Sequence, residues 1–107
     1  MLNRGDIYWV NLDPTIGSEI KKKRPCVIIG VTPINEARRT VVVIPLSSAG
    51  KPYPPLTIAV QCLGRPVVAV CDQIRAVDKS RLIDKIEKAR AEDMLEIEAG
   101  LRQTLAL

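Results

Sequence analysis

The chain has 107 residues, of which 47% are apolar, enough for one domain with its own core and no need of disulfides or a structural metal. Aromatic residues make up only 3% and phenylalanine is absent, so the core must come from Val, Ile and Leu, a composition that favours sheet. Histidine is also absent, which removes the usual general base and the commonest metal ligand, and leaves catalysis to Arg, Lys, Glu, Asp, Ser, Tyr or Cys.

The net charge of +4 is unevenly distributed. Residues 1–52 hold eight Lys/Arg against four Asp/Glu, whereas residues 53–107 hold eight of each. A basic surplus confined to the first half fits a polyanionic partner, although a merely solubilising basic surface accounts for the charge equally well. Cys26, Cys62 and Cys71 are widely spaced and lie in or beside apolar runs, which predicts buried reduced thiols. No signal peptide or membrane span is evident, and the cytoplasm is the expected compartment.

In chain order, Ile7 to Leu12 reads as a first strand, with Trp9 a core or interface residue. Asp13 to Lys23 is a polar loop in which Asp13-Pro14 starts a turn and Gly17 permits a bend. Its Ser18, Glu19, Lys21, Lys22 and Lys23, with Arg24 beside them, form a dense set of cationic and hydrogen-bonding groups suited to phosphate. Pro25 to Val31 is a central strand, Thr32 to Arg39 a polar turn, and Val41 to Leu46 a third strand. Ser47 to Pro55 is loop, Leu56 to Leu63 a fourth strand, Gly64-Arg65-Pro66 a tight turn, and Val67 to Cys71 a buried fifth strand. Asp78 caps a helical turn through Leu82, and Ile83 to Ile86 is either a last short strand or part of a long helix from Lys79. Met94, Ile97, Leu101 and Leu105, with Leu95 beside them, share one face of a C-terminal helix, with Glu92, Asp93, Glu96 and Glu98 outside. Gly100 in that helix suggests a close packing contact.

Several spaced motifs resemble one family. Gly5-Asp6-Ile7-Tyr8-Trp9-Val10, Asp13-Pro14-Thr15, Gly17-Ser18-Glu19 and Arg24-Pro25 are similar to the opening of the MazF/PemK toxins, and Ile44-Pro45-Leu46-Ser47-Ser48 and Cys71-Asp72-Gln73-Ile74-Arg75-Ala76-Val77-Asp78 continue the match. The resemblance covers nearly the whole chain. It implies a mainly β fold with short helices, an SH3-like small barrel of the MazF/PemK/CcdB type with a C-terminal helix. It also implies a single toxin domain over residues 1–107.

The activity implied is metal-independent, sequence-specific cleavage of single-stranded RNA without a cofactor, leaving 2′,3′-cyclic phosphate and 5′-hydroxyl ends. On this resemblance Arg24, Ser47 and Glu19 are the catalytic candidates. Arg24 is a planar, permanently charged fork for phosphate oxygens, Ser47 a hydroxyl where the family usually has threonine, and Glu19 a carboxylate to orient or deprotonate the 2′-hydroxyl. Ser18, Lys21, Lys22, Ser48 and Gln73 are candidate RNA contacts, while Asp72 is assigned a structural role. One branch of the family has histidine where Ser18 stands and arginine where Val70 stands, so that branch's acid–base scheme does not transfer. Ile20 stands where the better-fitting branch commonly has glutamine, which leaves the base recognised open. The implied partners are RNA, a second copy of the chain, and an antitoxin with an acidic C-terminal segment. Two other classes stay open: a gyrase-binding toxin of the same fold without cleavage chemistry, and an SH3-like adaptor, for which three aromatic residues make a poor peptide groove.

Overall fold

A computed structural model describes residues 1–12 and 22–107. Among these, the strands are β1 (Asp6–Asn11), β2 (Lys23–Ile28), β3 (Thr40–Ser47), β4 (Thr57–Cys62), β5 (Arg65–Val70), β6 (Arg75–Asp78) and β7 (Leu82–Lys88). The helices are α1 (Thr32–Ala37) and α2 (Ala91–Leu105). Single 3₁₀ turns at Cys71–Gln73 and Lys79–Arg81 precede β6 and β7.

Every strand pairing is antiparallel, in the order β4-β5-β3-β2-β1-β7, with β6 also on β3. Strand β3 is the hub. One of its edges carries β2, and the other carries β6 along Thr40–Val43 and β5 at Leu46–Ser47. Between those two pairings lie Ile44 and Pro45. Pro45 has no amide hydrogen, so the ladder cannot run unbroken past it, and the 3₁₀ turn Cys71–Gln73 takes up the extra residues there. Strand β3 thus joins two ladders, in the mainly β fold with a C-terminal helix that the sequence motifs imply.

Residues alternate between the two faces of a strand, and each face builds its own core. Ile7, Val27, Ile44, Leu46 and Val60 lie on one face, beneath Met94, Ile97 and Leu101 of α2. Val10, Leu12, Cys26, Ile28, Val41, Val43 and Val77 lie on the other. Gly5, at φ +92°, makes the turn into β1, and its amide and carbonyl tie Ile28 and Ala89 to that turn at 2.7 and 2.8 Å.

The structure corrects several sequence expectations. Thr32–Ala37 is a helix, not a turn; buried Asn35 holds it, donating through Nδ2 to the carbonyls of Gly30 (2.7 Å) and Leu2 (3.0 Å). Ser47 ends β3 instead of following it. Arg65 and Pro66 belong to β5, and the turn is Leu63–Gly64, both at positive φ (53° and 71°). The segment after the Asp78-capped turn is the strand β7, with the Asp78 carboxylate accepting from the Ser80 amide at 2.9 Å. In α2, Asp93 is buried while Leu95 and Leu105 are exposed. The acid turns inward because the Arg90 guanidinium donates to both its oxygens (2.9 and 3.0 Å) and the Gln61 amide to one (3.0 Å). Burial pushes the Asp93 carboxyl up, but these donors outweigh it and hold its pKa below the ordinary value.

Candidate active site

Strands β1 and β2 form a hairpin stem in which Val10 stands opposite Arg24 and Trp9 opposite Pro25. The Leu12 amide donates to the Lys22 carbonyl at 3.0 Å and closes the stem, with Lys22 at φ 67°. Arg24 is thereby fixed on a paired strand, one residue beyond the stem's last pair, Asn11 with Lys23. On its other side β2 pairs with β3, Cys26 opposite Pro45. The same register continued by two residues places Arg24 opposite Ser47, on one face of the sheet. Both side chains are half-buried.

The Ser47 hydroxyl oxygen accepts from the Ala49 amide at 3.2 Å, which leaves its own proton to donate. Arg75 of β6 stands opposite Val43, on this same face, and its charge acts on the Cys26 thiol. Burial nevertheless dominates and pushes that thiol up to about 12. Cys71 is pushed up to about 11, by burial and then by Asp72, and Cys62 is raised by burial and then by Glu87. All three thiols are free and buried, as expected, and none is poised as a nucleophile.

Around the Arg24 position lies a cavity of about 520 Å³, within the size range of small-ligand sites (~300–1,000 Å³). Its floor is apolar, made by Pro25, Leu46 and Val67 from β2, β3 and β5, with Cys62 and Leu63 at the β4 end. Trp9, 36% exposed, walls it on the β1 side. Lys23, Arg24 and Arg65 supply three cations to the lining, Ser48 supplies a hydroxyl, and among the described residues no carboxylate joins them. Among the described residues, neither Arg24 nor Arg65 forms an ion pair. The result is a positive mouth over an apolar floor, a setting that attracts and desolvates an anion.

Of the sequence candidates, Arg24 and Ser48 line the cavity, whereas Ser47, in register beside Arg24, lies on the sheet face opposite the Pro25–Leu46 floor and does not line it. Lys22 sits at the hairpin stem, exposed. Gln73 is half-buried in the 3₁₀ turn between β5 and β6 and does not line the cavity. Asp72, beside it, is exposed, with no hydrogen bond to another element among the described residues, so the structural role assigned to it has no support. Ser18, Glu19 and Lys21 lie outside the described residues. Arg65 does not stand out in the sequence, where it belongs to a Gly-Arg-Pro turn, and Trp9 is expected there in a core or an interface. The signal for both lay in pairing: Trp9 precedes Val10, the partner of Arg24, and Arg65 opens the strand beside β3. No group of three or more Cys, Asp or Glu side chains with metal-ligand geometry occurs among the described residues.

A family model described as a PemK-like, MazF-like toxin of type II toxin–antitoxin systems matches residues 3–105. Endoribonuclease EndoA of Bacillus subtilis is 31% identical over 112 residues, covering 100% of this chain and 97% of that protein. Endoribonuclease MazF of Staphylococcus epidermidis is 32% identical, covering 100% and 93%. Among solved structures, MazF of Deinococcus radiodurans superposes with a TM-score of 0.87 at 25% identity, covering 98% of this chain and 96% of that one. A mycobacterial endoribonuclease in complex with its cognate antitoxin has a TM-score of 0.82 at 21% identity, covering 98% and 95%, and shows the shared fold.

Proposed function

The chain belongs to the PemK-like, MazF-like toxin family, and on that premise we propose that it is the endoribonuclease toxin of a toxin–antitoxin pair, cutting single-stranded RNA. The observation that carries the reading is the cationic cavity. Arg24 lines it beside Lys23 and Arg65 with no competing carboxylate among the described residues, on a chain that matches named endoribonucleases along its whole length. The gyrase-binding alternative finds no relative of that kind among these matches, and the adaptor reading has, among the described residues, Trp9 alone as an aromatic in its groove.

The reaction proposed needs only the RNA and the protein's own groups. The ribose 2′-oxygen bonds to the adjacent phosphorus while the bond from phosphorus to the 5′-oxygen breaks. A 2′,3′-cyclic phosphate and a 5′-hydroxyl result. Glu19 orients the 2′-hydroxyl or takes its proton. Arg24 holds two phosphoryl oxygens as charge grows on them, and Ser47 donates a further hydrogen bond to the same group. The leaving 5′-oxygen takes a proton from Arg24 or from water. Ser18, Lys21, Lys22, Ser48 and Gln73 contact the RNA strand. The protein acts in the cytoplasm as a homodimer, and an antitoxin's acidic C-terminal segment competes with RNA for the basic site.

Digestion of a single-stranded RNA in the presence of EDTA tests the reading. Discrete fragments with cyclic phosphate ends support it. Intact RNA, or 5′-phosphate ends, would contradict it.

A further inference from the structure

We propose that Trp9 and Arg65 form a second nucleotide subsite, in which a base next to the scissile bond stacks on the indole and its phosphate meets the guanidinium. The proposal rests on the ribonuclease reading and adds to it the residues that set part of the sequence preference.

Three observations carry it. First, the cavity joins a flat apolar surface to a cationic rim, the chemistry of a ligand with an apolar face and an anionic edge, as in a nucleotide. Trp9 keeps 36% of its surface exposed although it sits next to Pro25 across the hairpin, so its ring is available without any strand moving. Second, Arg65 is held by the β4–β5 ladder, opposite Cys62, immediately after the Leu63–Gly64 turn. It is exposed, and no carboxylate neutralises it among the described residues. Third, β3 separates β5 from β2, and the register that sets Ser47 against Val68 leaves Arg65 three residues further along, so Arg65 and Arg24 stand about 14 Å apart at their Cα atoms. Their side chains leave the strands on alternate faces, so the two are not aimed at one phosphate. Arg65 is therefore left for a neighbouring phosphate while Arg24 holds the reacting one, and Trp9, on the same sheet face as Arg65, takes the base.

An acidic peptide is the competing occupant, since it would also pair with the three cations. The indole favours the nucleotide: every base offers a π-face of matching size, and removing such a stacking platform weakens binding on the order of tenfold to a hundredfold.

The test is a profile of cleavage sites in a randomised single-stranded RNA, with KM and kcat measured on the preferred sequence. Arg65→Ala should raise KM about tenfold with little change in kcat, and should lower the slope of log KM against log salt by about one. Arg65→Lys should restore that slope. Trp9→Leu should flatten the base preference at one position beside the cut, whereas Trp9→Phe should retain it. Circular dichroism melting shows that each variant is folded. If folded Arg65→Ala and Trp9→Leu cut with the parent's KM and profile while the parent cuts normally, the subsite is refuted and the ribonuclease reading stands. An altered affinity for an acidic peptide with an unchanged RNA profile refutes it equally. If the parent itself cuts no RNA, the ribonuclease reading and the subsite fall together.

Discussion

The register that pairs Cys26 of β2 with Pro45 of β3, continued by two residues, sets Arg24 against Ser47. A guanidinium and a hydroxyl on neighbouring strands share a face without needing a loop to bring them together. Sites built on paired strands are positioned more accurately than sites on loops. The arginine contributes a fork of donors as well as charge. Arg24→Lys keeps the charge and loses the two-pronged geometry, so kcat should fall at least tenfold while KM moves little. Steady-state cleavage of a defined RNA measures this split.

The hydroxyl can be tested separately from the fold. Ser47→Ala removes a donor from the site, along with the acceptor used by the Ala49 amide, which is exposed and can bond water instead. Its stability should stay within about 0.5 kcal/mol of the parent. Its kcat should drop by roughly ten- to a hundredfold, and Ser47→Thr should restore most of it. Paired urea melts and cleavage rates check both halves.

Asp93 gives the fold a pH dependence of known sign. Its pKa is held down in the folded state by Arg90 and the Gln61 amide. Its contribution is therefore present above the unfolded carboxylate value, about 4, and is lost as pH falls through the lower folded value. Asp93→Asn should cost about 1–3 kcal/mol at pH 7. The gap between parent and variant should close below about pH 4. Chemical denaturation across pH 3–7 follows it.

Gly100 lies in α2 where alanine would ordinarily help the helix by about 1 kcal/mol. Here a Cβ would come within 3.0 Å of Ile58 Cγ1 and 3.1 Å of the Pro55 carbonyl oxygen. The backbone oxygen has little room to retreat, so Gly100→Ala should give no gain and a loss of up to about 2 kcal/mol. A thermal melt decides the sign.

These particulars show what a sequence can and cannot carry. The strands of the half-barrel were legible because their apolar runs are bounded by turn residues, and α2 because Met94, Ile97 and Leu101 recur at helical spacing. Helix α1 was not legible, since its six residues carry little apolar signal and what holds it is Asn35 bonding to Leu2 and Gly30, a tertiary event. Asp93 looked external among neighbouring acids, and only the Arg90 side chain and a β4 amide turn it inward. In the site, Arg24 and Ser47 stood out through motifs. Trp9 and Arg65 did not, because their relation to Arg24 exists only once β1, β2, β3 and β5 are side by side.

The most direct measurement is the single-turnover cleavage rate of Arg24→Ala on a single-stranded RNA in EDTA, with its melting curve beside the parent's. We predict a folded protein of near-parent stability whose rate is at least a hundredfold lower. A folded variant that cuts at close to the parent rate would contradict the assignment of the reacting phosphate to Arg24.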